Sequence, residues 1–286
     1  MYKTNKIGFV VNYYWRPTFS EYVRESARFA ISMIESSSIV DRILLIDGSP
    51  IPDIEMQEVY RSKKVQYLHL GKELGFAEAL NEGWKRLDTE FIGLMASDVY
   101  PTPETLKLLV DVLTLPNVGL VFPYLDFCDY PGQVSSFVRN PVSCEPSSMS
   151  LNLNLIKKKV LEEIGGIDEN YSGGYNDLIL LMKIRKIGQK VILVGNTRTS
   201  HLGRATVSQG TNFNMAIDNP RFSTEYPEYR TLYGPWNITH WKYPFATTKR
   251  AKVFWWIAQN FPLRKIRNFL IWFAMWLEPD LTRFRQ

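Results

Sequence analysis

The chain has 286 residues, 45% of them hydrophobic and 22% charged, enough to bury a full core as one large domain or one domain with an extension. Cys128 and Cys144 give no zinc-type spacing and at most one bridge, so a disulfide scaffold is excluded and a reducing cytosol is the default. No stretch reaches the roughly 18 apolar residues of a membrane span, and the run 7–11 is too short for a signal-peptide core.

Strand and helix signals then alternate. Residues 7–12 predict a strand and 20–35 an amphipathic helix with Ser20 as its cap. A strand over 42–47 ends in Asp47-Gly48-Ser49-Pro50, strong turn chemistry. A weak helix near 54–61 and a strand over 65–70 follow. In the helix 75–87, Phe76, Ala79, Leu80, Gly83 and Trp84 form one stripe. Residues 91–96 predict a strand, 103–113 a helix with Pro103 in its first turn, and 118–122 a strand. The pattern breaks over 123–149, as expected of a loop region shaping an acceptor site. A strand over 151–155 leads to a helix over 156–164, ended by Gly165 and Gly166. A helix over 177–187 stops at Gly188, before a strand over 190–194. Residues 203–248 show little periodicity but many aromatics. Such alternation argues an α/β fold with a parallel, twisted sheet and helices on both faces.

Two stretches carry the chemistry. In the first, the apolar run 91–96 stops at Asp98 and then at Pro101 and Pro103. That is a buried strand delivering a carboxylate to the edge of an open sheet, where ligands bind in such folds. In the second, Gly165-Gly166-Ile167-Asp168, Asn176-Asp177 and Ser200-His201 bring a further acid and a histidine. Together these can hold a metal-diphosphate and remove a proton. No P-loop lysine motif and no Gly-x-Gly-x-x-Gly fingerprint occurs, which argues against kinases and dehydrogenases.

At these residues, over roughly 5–206, the chain resembles the family 2 glycosyltransferases, inverting enzymes that move sugar from a nucleotide donor. The resemblance implies a glycosyltransferase A-type, Rossmann-like mixed sheet. It puts Asp98 where the family has Asp-x-Asp or Asp-Asp, with Ala96 and Val99 in place of partner acids. It makes Asp98 the holder of a Mn²⁺ or Mg²⁺ ion, a hard cation suited to oxygen ligands, with His201 completing the metal shell or contacting the diphosphate. Asp177 matches the middle acid of a Glu-Asp-x-Asp pattern whose flanks are here Asn176 and Ile179, and is the implied general base. Asn12, Asp47, Gly75, Asp98 and Arg204 are the implied nucleotide-sugar contacts, with Asp47 taking the imide N–H of a uracil-type base and Arg204 the phosphates. Each also has a structural reading: Asp47 as a turn former, Asp177 as a helix-start acid, and Gly75 as a site of close backbone approach. Glu73 stands where the family has Asn.

The basic character belongs to the tail. Residues 249–286 hold eight Lys or Arg against Glu278 and Asp280, a net +6, which leaves −1 on the rest. Half of the eight tryptophans lie there too. Basic residues beside Trp and Phe describe a helix lying on an anionic membrane; packing on the domain or on a second copy, or contact with nucleic acid, are the other readings. The expectation is therefore a catalytic domain over 1–206, an aromatic-rich acceptor-side segment over 207–248 and a helical tail over 249–286. The expected activity is transfer from a nucleotide-diphosphate sugar, a UDP-sugar favoured, to a hydroxyl of a lipid-linked or cell-surface glycan at the inner face of the membrane. The alternatives are transfer to hydroxylated bases of nucleic acid, or sugar-nucleotide binding without catalysis.

Overall fold

The computed structural model describes residues 3–128, 133, 143–146, 148–171, 175–203, 205–206, 209, 215–227, 253, 257, 266, 269–270 and 273. The chain order is β1 (Lys3–Tyr13), α1 (Tyr22–Glu35), β2 (Val40–Asp47), α2 (Ile54–Val59), β3 (Val65–His69), α3 (Phe76–Trp84) and β4 (Thr89–Ala96). Then come β5 (Val99–Tyr100), α4 (Pro103–Leu113), β6 (Val118–Leu125), β7 (Leu153–Lys157), α5 (Lys158–Ile164), α6 (Asn176–Lys186), β8 (Lys190–His201) and α7 (Met215–Glu225). Arg204, residues 228–248 and most of the tail lie outside the described residues.

The strands lie in the order β3-β2-β1-β4-β7-β6-β8-β5. Strands β1 to β4 run parallel, as do β6 and β8. Strand β7 runs antiparallel to both β4 and β6, and β5 pairs antiparallel with β8. The sheet is mixed and mainly parallel, with a core on each face. Alternate residues of β1 show why: Val10 packs with α3 residues Leu80 and Trp84, while Phe9 and Val11 pack with α1 residues Ala27, Ile31 and Ile34. A strand buried on both sides must be apolar throughout, and each fully buried Val, Leu or Ile contributes roughly 1.5–3 kcal/mol.

Several boundaries differ from the sequence expectation. Ser20 does not cap α1: Glu21 occupies that position without a side-chain bond, and the Ser20 N–H instead donates to Gln209 Oε1 at 3.3 Å. Strand β7 begins at Leu153, so α5 starts at Lys158. Strand β8 runs past Val194 to His201, because Thr199 pairs with Leu125 of β6 and His201 with Val99 of β5, after a bulge at Asn196 (φ +59°). Helix α7 falls in a stretch without apolar period. Strand β6 runs past Phe122 to Leu125, and buried Gln133 ties it to Ser150: the Gln133 Oε1 accepts from the Ser150 N–H at 3.0 Å and its amide donates to the Pro123 carbonyl at 3.3 Å.

In the tail, Leu270 packs against the core that holds Val10, whereas Ile266 and Phe269 are exposed. No helix of the described residues is long and apolar enough to cross a membrane.

Candidate active site

The C-terminal ends of the parallel strands converge on one edge. There Asn12 lies between Ile46 and Ala96, and Tyr13 pairs with Asp47. Two residues past β4 stands Asp98, 7% exposed. The Val99↔His201 register brings the end of β8 against it, and His201 Nε2 lies 3.4 Å from Asp98 Oδ1. The other oxygen, Oδ2, accepts the Ala205 N–H at 3.2 Å.

The tautomer of His201 follows from its neighbours. Nδ1 lies 2.7 Å from the Phe127 carbonyl oxygen, which can only accept, so Nδ1 carries the hydrogen. In the neutral ring Nε2 then turns its lone pair toward Asp98. Burial alone would push the imidazole pKa down; the hydrogen bond and charge of Asp98, with the Phe127 carbonyl and Asp126, outweigh it and the net direction is up. An oxygen and an imidazole nitrogen facing the same point suit a Mn²⁺-type ion whose remaining ligands come from a diphosphate. Among the described residues no group of three acids, histidines or cysteines forms a fuller cage.

Asp47, at the end of β2, is fully buried. Oδ1 accepts from the N–H (2.9 Å) and hydroxyl of Ser49, and Oδ2 from the Asp53 N–H (3.1 Å) and the Tyr67 hydroxyl. All four lone-pair sites of the carboxylate are thus filled within the chain. The network continues outward. Asp53 takes the Tyr13 hydroxyl at 2.6 Å and a two-pronged bond from Arg24 at 2.9 and 3.2 Å. The Arg24 guanidinium lies 4.0 Å over the Trp15 ring, whose backbone N–H donates to Ser49 Oγ at 2.8 Å. Burial, and then the bond to Asp53, pushes the Tyr13 phenol pKa up. The ends of β1 and β2 are thereby locked as one rigid rim.

At the end of β3, Glu73 accepts from the Tyr14 hydroxyl (2.5 Å) and from Arg16 (3.3 Å). Gly75 caps α3, and a Cβ added there would meet nothing within 4 Å, so its backbone faces open space. On the far flank, buried Asn81 of α3 holds the 165–169 turn. Its amide donates to the Ile167 carbonyl (2.8 Å) and to Glu169 (2.7 Å), while its oxygen accepts the Ile167 N–H (3.0 Å) and the Trp84 indole (2.9 Å). Gly166 sits at φ +81° with its Cβ position 2.7 Å from Asn81 Oδ1, so no side chain fits there.

Asp177 lies in the first turn of α6, half-buried, with Oδ1 accepting the Leu178 N–H at 2.8 Å. Helix α6 ends at Lys186 and a short turn leads into β8, so the two run back to back. Helix α6 packs on β8.

The rim residues Tyr13, Trp15, Arg24 and Asp53, and Asp126 behind His201, were not singled out from sequence. Asp126 carries the signature that marked Asp47 and Asp98, an acid closing an apolar run, and its Oδ1 accepts the His201 N–H at 2.7 Å. The rim contacts join residues 29 and 40 positions apart, a pairing that local pattern does not reveal.

Residues 17–166, just over half of the chain, match the sequence model of Glycosyl transferase family 2. The chain belongs to glycosyl transferase family 2. The matched span holds Asp47, Gly75 and Asp98, while Asp177 and His201 of this family 2 glycosyltransferase lie beyond it. Similar solved structures include GalNAc-T7 with UDP, GalNAc and Mn²⁺ (12% identity, TM-score 0.57, covering 92% of this chain and 53% of that one). The mannosyltransferase PcManGT from Pyrobaculum calidifontis, with GDP-Man and Mn²⁺, is 16% identical with a TM-score of 0.56 over 94% of this chain and 84% of that one. TarS 1–349 of S. aureus is 13% identical with a TM-score of 0.55 over 94% and 89%. The family 2 glycosyltransferase thus spans about half the length of the GalNAc-T7 chain and shares the glycosyltransferase A-type fold with all three. No curated protein matches it in sequence.

Proposed function

We propose that the enzyme transfers a sugar, with inversion at the anomeric carbon, from a nucleoside-diphosphate donor to a hydroxyl acceptor. The observation that carries this reading is the Asp98–His201 pair at the strand edge, with the His201 tautomer set by Phe127. The fold neighbours with UDP or GDP-Man also hold Mn²⁺, which supports a divalent cation here, with Asp98 and His201 as its protein ligands. Bound there, the ion would offset the charge that gathers on the departing diphosphate.

Asn12 and Gly75 line the place of the nucleotide, with Arg204 on its phosphates. Asp47, its own acceptor sites filled, serves the base by fixing Ser49 and the 47–49 turn. A UDP-sugar remains the favoured donor. Asp177 takes the acceptor's hydroxyl proton as that oxygen bonds to the anomeric carbon and the carbon–oxygen bond to the diphosphate breaks on the opposite side. The acceptor is a lipid-linked or cell-surface glycan, with the basic tail of net +6 against the anionic inner face of the membrane.

Mass spectrometry of the full chain incubated with a panel of nucleotide sugars, with and without Mn²⁺, tests the reading. Asp177→Asn should lower transfer by about 10² to 10⁴ while the nucleoside diphosphate still binds. Near-normal turnover in that variant removes Asp177 from the role of base. Donor that binds but never turns over favours a sugar-nucleotide-binding protein.

A further inference from the structure

The first turn of α6 is fastened from two sides. On one, the Asn176 amide donates to the carbonyls of Asp168 (2.6 Å) and Tyr171 (3.1 Å). On the other stands α7. Its Arg221 donates to the Asn170 carbonyl at 3.0 Å, and its Glu225 accepts the Tyr171 hydroxyl at 2.6 Å. Between them Phe222, 1% exposed, stacks on Tyr175 at 4.3 Å and 21° and on Tyr226 at 5.4 Å and 25°. Tyr171 meets the Phe222 ring edge-on at 6.3 Å.

Tyr175 is itself unusual. It holds φ +71°, ψ −15°, the left-handed region, without being glycine. A side chain persists there only where its surroundings over-determine it, and the Phe222 stack is such a constraint. The dihedrals of Tyr175 set the direction in which α6 departs, and Asp177 follows two residues later. Helix α7, meanwhile, is a poor helix in isolation: eleven residues with Pro220 inside. Such a segment keeps its shape through tertiary contacts, and its contacts reach residues 170, 171 and 175.

We propose that α7 is a positioning element for the catalytic carboxylate and that Phe222, through Tyr175, aims Asp177 at the acceptor hydroxyl. This rests on the reading of Asp177 as base. Phe222 touches no substrate; it acts on the rate through another residue, so its effect requires Asp177 to be present.

The test is a double-mutant cycle. Single-turnover transfer by the full chain is measured for Phe222→Ala, Phe222→Leu and Phe222→Tyr, each with native Asp177 and with Asp177→Asn. Calorimetry with UDP and GDP accompanies it, and hydrogen exchange reads the Leu178, Ile179 and Ile184 amides. Phe222→Ala should slow transfer roughly 10- to 100-fold and speed exchange at Leu178 and Ile179, leaving Ile184 and nucleotide affinity within about threefold. Phe222→Tyr keeps the flat ring and should restore at least half the rate, whereas Phe222→Leu, which keeps packing without the stack and guards against a variant that fails to fold, should not. In the Asp177→Asn background Phe222→Ala should change the rate less than about threefold. The proposal is overturned if the Phe222→Ala loss carries through undiminished in that background, if nucleotide affinity falls in step with rate, or if Leu178 and Ile179 exchange as before. A near-normal rate for Asp177→Asn alone sinks the base assignment instead, and the two failures are told apart.

Discussion

In the proposed reading the His201 nitrogen that faces Asp98 serves a proton and a cation alike, so pH should act on it in two ways. Its pKa is raised above the ordinary imidazole value of 6.5, against the pull of burial, by Asp98. A group whose folded pKa is raised adds stability that is complete below the unfolded value and lost as pH rises through the folded one. With divalent ions chelated, the melting temperature should therefore fall as pH climbs from about 6.5, while His201→Gln should melt at nearly constant temperature across that window. An equally steep decline in both proteins would place the titrating group elsewhere. The place of Asp98 just past a buried strand was legible from sequence because an apolar run that closes on an acid reads as a strand ending at the sheet edge. His201 was legible only by resemblance, since its partner lies 103 residues away and is reached through the β5–β8 pairing. Asp47 shows the limit of such reading: its position at the strand end was visible, but not that Ser49, Asp53 and Tyr67 would fill every acceptor site it has.

Among the elements, α3 and the 165–169 turn act as one piece through Asn81. Asn81→Ala would leave the Ile167 N–H and carbonyl and the Trp84 indole buried without partners, at a cost on the order of 3 kcal/mol. Urea unfolding should show this as a lower midpoint with unchanged slope; a loss under 1 kcal/mol would mean that water replaces the amide. Helices α1, α3 and α4 were legible because their apolar residues recur at helical spacing above a buried strand, and Thr102 with Pro103 marks the start of α4 to the residue. Helix α7 was not, since Pro220 interrupts it and it packs through Phe222 into a cluster of rings that other segments supply. The far half of β8 escaped for a related reason: from Thr197 its buried positions are Thr197, Thr199 and His201, polar residues that read as loop.

At the scale of the molecule, the few described apolar residues of the tail divide between two directions. Leu270 faces the core, and Ile266 and Phe269 face out. With each Lys or Arg near an anionic surface worth about 1 kcal/mol, the full chain should co-sediment with anionic vesicles, less so in high salt. The chain ending at Thr248, with its formal charge of −1, should stay folded and remain in the supernatant. Unfolding of that shorter chain would instead make the tail part of the core. The parallel part of the sheet was legible as alternation of strand and helix and its mixed character only by resemblance, whereas the insertion of β7 between β4 and β6 was not legible, because pairing order is a long-range property.

That insertion also bears on how the chain is made. On an emerging polypeptide β1 to β4 can assemble as soon as residue 96 is free, yet the outer edge of β4 has no neighbour until residue 157 follows about sixty positions later. At ribosomal speeds of about 5–20 residues per second, that is roughly 3 to 12 seconds. For that interval a nascent half-sheet presents the bare edge of an eight-residue apolar strand, a template for joining another chain. Crowded synthesis is therefore a condition under which this edge can join another chain.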